Sequence, residues 1–106
     1  MDNSLKDALL PFSGTAALKA HRSEGDTMTF IFAPWSNLNN EVTWVVTHVL
    51  TEYFDVIDAQ ERAPFDLFHL LIKPLGSDLL RVDLALDMGH LGFSGKFHVN
   101  GQLIRV

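Results

Sequence analysis

His69, His90 and His98, with Asp83 and Asp87, are the residue types that hold transition metals or move protons near neutral pH. Their spacing matches neither task. No two histidines stand at the His-x3-His separation of a helical zinc site, and the chain contains no cysteine, which removes thiolate ligands, thiol nucleophiles and disulfides. His69 lies inside the apolar run FDLFHLLIK and reads as a hydrogen-bonded core histidine. Asp83 and Asp87 share a face of the next strand, but four extended residues separate them by about 13 Å. Paired glycosidase carboxylates sit at roughly 5 to 9.5 Å; with Arg81 these two aspartates instead form the wet side of a sheet.

His48 and Glu52, four residues apart, supply one ingredient of acid–base catalysis if helical, and equally an ordinary surface pair. No nucleophile in a recognisable context accompanies them. Gly89, Gly92 and Gly95 in GHLGFSG lack the spacing and the following helix of a phosphate cradle, so they read as a flexible connection between strands. The sequence therefore predicts no catalytic residues, no metal and no cofactor.

The elements that position these residues read as one α+β domain spanning residues 1–106. Asn3 or Ser4 caps a short N-terminal helix that ends before Pro11 to Gly14. TAALKAHR and TMTFIFA flank the turn SEGD as a hairpin. Asn37, Asn39 and Asn40 then offer caps, and apolar residues at 42, 45, 46, 49, 50, 53 and 57 fall within one arc of about 140° at helical period. That spacing predicts a long amphipathic helix from Val42 to an end between Asp58 and Pro64, although its valines and threonines favour strands. FDLFHLLIK is either a strand buried on both faces or a short buried helix. Leu80, Val82, Leu84 and Leu86 alternate with Arg81, Asp83, Ala85 and Asp87 as a half-buried strand. Asn100-Gly101 closes a last hairpin. The expected fold is an antiparallel sheet of five to six hairpin-connected strands, with the long helix packed on one face.

On that helix Trp44 points away from the apolar stripe, in a ring formed by His48, Thr51, Glu52 and Asp55, with Asp58 and Glu61 further along. Either another segment covers it, such as the N-terminal helix or the Trp35 loop, or it anchors a partner, since tryptophan is enriched at interface hot spots. The second option makes Trp44, His48, Thr51, Glu52, Asp55, Asp58 and Glu61 a partner-binding face.

Thirteen acids against eight bases give a net charge of −5. This disfavours nucleic acid, whose binding rests on neutralising phosphates, and suits a basic protein. No signal-peptide pattern or membrane-length apolar run is present, and cysteine is absent, so the expected location is cytoplasmic. In size and charge alone the chain looks like small acidic bacterial inhibitors of basic toxins, such as immunity proteins and antitoxins; no motif carries the likeness. The sequence thus favours a protein-binding inhibitor of a basic enzyme such as a nuclease. Two alternatives stand beside it. One is a small-molecule or enzymatic site using His69, His90 or His98 near the glycines, and the other is a homodimeric structural subunit.

Overall fold

A computed structural model describes residues 4–56, 64–87 and 89–106. Its elements are helix α1 (Ser4–Leu9) and strands β1 (Ala16–Glu24), β2 (Thr27–Pro34), β3 (Val42–Val56), β4 (Phe65–Pro74), β5 (Leu80–Leu86), β6 (Gly89–Val99) and β7 (Gln102–Leu103). All pairings are antiparallel. The sheet runs β3-β2-β1-β4-β5-β6-β7, and β3 also pairs with β6. That pairing closes β1 to β6 into a six-stranded barrel, with β7 attached to the end of β6.

The long helix expected from Val42 is not there: Val42–Val56 is a 15-residue strand, and residues 57–63, which hold the expected helix end, lie outside the described part. Among the described residues the fold is a β-barrel with one short helix, not an α+β sheet with a long helix on its face. A β-bulge explains why the sequence imitates a helix. Val42, Trp44 and Val46 point inward with strand alternation. The register with β6 then shifts between Thr47 and Leu50, where His48 adopts φ 55°. The extra residue moves the alternation by one, so Val49 packs against the core next. Inward residues at 42, 44, 46 and 49, joined by the outer valine at 45, reproduce an i, i+3, i+4 rhythm. The β-branched content was the better guide, because Val and Thr fit a pleated surface.

A left-handed backbone conformation is unfavourable for histidine and free for glycine. His48→Gly is therefore expected to stabilise the protein by up to about 1 kcal/mol, seen as a higher denaturant midpoint at unchanged slope.

The hairpins follow their turn residues. Gly25 (φ 62°) opens the two-residue turn between Glu24 and Thr27, and Asn100 (φ 50°) with Gly101 (φ 85°) make the doubly left-handed turn their types favour. FDLFHLLIK is strand β4, paired with β5 through the turn at residues 75–79. It is not buried on both faces, since Phe68 and Leu71 are exposed. GHLGFSG is not a connection but lies within β6.

Aromatic rings fill the barrel axis. Phe32 and Trp44 lie 4.4 Å apart, Phe30 and Phe93 stack at 5.3 Å, and Phe97 meets Trp44 edge-on at 5.5 Å. Helix α1 plugs one end with Leu5, Leu9 and Leu10. Trp44 Nε1 donates to the Leu9 carbonyl at 2.7 Å, so the covering segment is the N-terminal helix. Trp35 instead donates to Asp66 Oδ1 at 3.0 Å. Among the described residues no helix is long and apolar enough to cross a membrane.

Candidate functional site

The outer wall formed by β4, β5 and β6 carries most of the polar side chains singled out above. Inward Leu80, Val82, Leu84 and Leu86 leave Arg81, Asp83 and Ala85 outside. Register places His69 beside Ala85, and Ala85 beside His90; the next row is Leu71, Asp83 and Gly92. Two histidines thus flank one alanine, with Cα atoms about 10 Å apart across two strand spacings. Because alanine and glycine leave the middle of the wall low, a hollow of about 370 Å³ forms, lined by His69, Leu71, Asp83, Ala85 and His90 with Leu84 beneath.

Arg81 stands two residues before Asp83 on the same outer face. Its guanidinium bonds Asp83 Oδ1 at 3.0 Å from Nη2 and Glu52 Oε1 at 2.5 Å from Nη1, reaching across β6 to β3. Desolvation alone would lower its pKa, but hydrogen bonds and attraction from Asp83 and Glu52 outweigh it and raise it above the ordinary value. Asp83 is thus held in an ion pair with Arg81.

The remaining residues are dispersed. His98 faces outward eight residues beyond His90, roughly 26 Å along the strand, with Nδ1 3.3 Å from the Val45 carbonyl. Asp87 follows β5 in a turn and donates its backbone amide to the Asp66 carbonyl, so it does not share the strand face of Asp83. His69 is exposed, not a core histidine. His21, half-buried on β1, has its pKa lowered by burial. No group of three or more metal-ligating side chains converges among the described residues.

The expected partner-binding face does not assemble around Trp44, which is fully buried inside the barrel. His48, Thr51 and Glu52 are exposed on β3, but the helical proximity of His48 and Glu52 is lost. His48 Nδ1 instead lies 3.3 Å from Thr47 Oγ1, while Glu52 turns to Arg81. Asp55 pairs through its backbone with His90. Asp58 and Glu61 lie outside the described residues.

Sequence reasoning passed over Phe68 and Leu71, which are 65% and 55% exposed and carry the largest apolar surfaces on β4. Phe68 sits at a register shift between Leu67 and His69. The one signal for them was that FDLFHLLIK is apolar on both faces, more than a half-exposed strand needs. Comparison of the chain with protein-family models, curated proteins and solved structures finds no match.

Proposed function

We propose that this chain is a protein-binding domain whose recognition surface is the outer wall of β4, β5 and β6. The observation that carries the reading is the hollow over Ala85, walled by His69, His90 and the exposed Leu71. A low floor between amphipathic walls accepts an anchoring side chain of a partner, and such central anchors dominate interface energetics. The aromatic filling of the barrel supports binding at the outside over ligand capture within.

The net charge of −5 supports a basic protein as the partner, because opposite charge speeds encounter. Asp83 lines the hollow, and Arg81 links it to Glu52 on β3. We favour an inhibitor or immunity role, in which this wall blocks the working surface of a basic enzyme. The His69–His90 pair favours one second reading, a small-molecule site in the same hollow.

Ala85→Arg is the informative variant: it fills the hollow and sets like charge against a basic partner. Affinity capture from the source cells is expected to retrieve a basic protein with the wild type, less at high salt. Ala85→Arg should weaken that complex by about 30-fold or more. Equal capture by the variant would remove this surface from the reading. Thermal stabilisation of the wild type by a metabolite, abolished in Ala85→Arg, would favour the small-molecule site.

A further inference from the structure

We infer that the free edge of β4 pairs with the same strand of a second copy, giving a two-fold symmetric dimer. This goes beyond the recognition wall, because an edge bonds in the plane of the sheet and leaves the outer wall open. Among the described residues three pairs close the barrel between β1 and β4: Ala16–Leu67, Ala17–Asp66 and Leu18–Phe65. Beyond Leu67 the chain opposite β4 is no longer a strand. Gly14, at φ 89°, turns it away towards α1. Among the described residues no backbone group pairs with β4 on that side from Phe68 to Pro74, while β5 holds the other side.

An edge of this kind presents alternating amides and carbonyls to any strand that matches it. Proteins usually blunt such edges with charge or proline. Here Lys73 and the terminal Pro74 are the only such residues in the seven.

The side chains identify the occupant. Leu70 and Ile72 are directed towards the core side yet remain half-buried: Lys6, Leu10 and Thr15 stand across from Leu70 and leave an open groove of about 210 Å³ along this edge. An antiparallel copy centred on Leu71 sets Leu70 against the second Ile72, Ile72 against the second Leu70, and Leu71 against itself. Opposed residues share a face in this arrangement, so the apolar inner layer runs continuously across the join. His69 then faces Lys73, and Phe68 faces Pro74, both without a carboxylate. Charge points the same way. The chain carries −5 overall, but no acid lies between Asp66 and Asp78. Two copies that repel elsewhere can approach along this strand. A self-matching interface of this type closes as a dimer and does not extend into a fibre.

Light scattering coupled to size exclusion is expected to show the wild type moving from monomer to dimer at concentrations of about 1 to 100 µM, the range typical of a small interface. Leu71→Asp should raise the dissociation constant at least about 100-fold by opposing two carboxylates at the axis. Because the chain has no cysteine, Leu71→Cys provides a direct read of register. Oxidised glutathione should convert it to a covalent dimer reversed by reductant, since directly opposed strand residues are within disulfide reach. Leu50→Cys, 68% exposed on β3 and away from the edge, should stay monomeric on a denaturing gel. A wild type that remains monomeric across the range overturns the inference. So does crosslinking of Leu50→Cys as efficient as that of Leu71→Cys. Ala85→Arg lies off the edge and should dimerise normally, so loss of partner capture by that variant is separable from loss of the dimer.

Discussion

Trp44→Ala is expected to destabilise the protein by about 3 to 5 kcal/mol, the range for truncating a buried large aromatic. For a domain of this size that lowers the melting temperature by about 15 °C or more. Three contributions act together. The indole is fully buried between Phe30, Phe32 and Phe97, so its removal leaves a cavity that the rigid barrel cannot collapse to fill. The ring contacts are lost with it. The Leu9 carbonyl also loses its 2.7 Å donor, which loosens α1 over the barrel end.

Trp44→Phe separates these contributions. It keeps most of the apolar volume and removes the N–H, so a loss of about 1 to 3 kcal/mol is expected from the buried carbonyl left without its partner. Chemical denaturation followed by circular dichroism measures both. An outward-facing residue would shift stability by about 0.5 kcal/mol or less on truncation. Such a result for Trp44→Ala would contradict its place in the core.

The contrast between an outward and an inward Trp44 shows where the sequence is informative. Local chemistry was readable. Gly25, Asn100 and Gly101 mark turns because their backbone conformations demand those residues, and the alternation from Leu80 to Leu86 is undisturbed. The hairpin of β1 with β2 and that of β6 with β7 form as their turns require. The period of β3 misled because register shifts, the first at His48 and the second between Thr51 and Tyr53, changed the phase of a long strand. A rule that counts spacing cannot distinguish a phase change from a helical repeat. Thr43, Val45, Thr47 and Val49 carried the opposing signal through their branched Cβ atoms.

The candidate site was less legible, for a different reason. His69 and His90 are 21 positions apart in sequence and become neighbours of Ala85 only through the β4–β5 and β5–β6 registers. Arg81 meets Glu52 because β3 closes onto β6, a pairing that no turn residue announces. The free edge of β4 is a property of what fails to stand beside it, and that depends on where Gly14 turns the chain. A net charge of −5 can be summed without a fold, but its distribution over a barrel cannot.

Gly95 is the position at which barrel closure can be tested with one carbon atom. A Cβ built there meets the Thr47 carbonyl oxygen at 2.7 Å and Val46 Cγ1 at 2.7 Å, with Val49 Cα at 3.6 Å. The Thr47 oxygen belongs to the backbone just before the bulge and cannot swing aside as a side chain tip would. Val46 is fully buried, so its methyl group has no space to enter. Gly95→Ala must therefore push β3 and β6 apart where their register shifts, and overpacking of this kind costs about 1 to 3 kcal/mol. Relief of glycine's unfolded-state entropy returns less than about 1 kcal/mol, so the net effect remains destabilising. Gly95→Val should be worse, with loss of cooperative unfolding as well as a lower midpoint. Combining Gly95→Ala with Val46→Ala, which removes one of the two clashing groups, should recover none of the clash with the Thr47 oxygen. If the double variant is instead as stable as Val46→Ala alone, backbone approach at Thr47 is not what requires glycine. The same experiment discriminates the barrel from the helix reading, because only a β3 strand laid against β6 brings residues 46 and 47 within reach of residue 95.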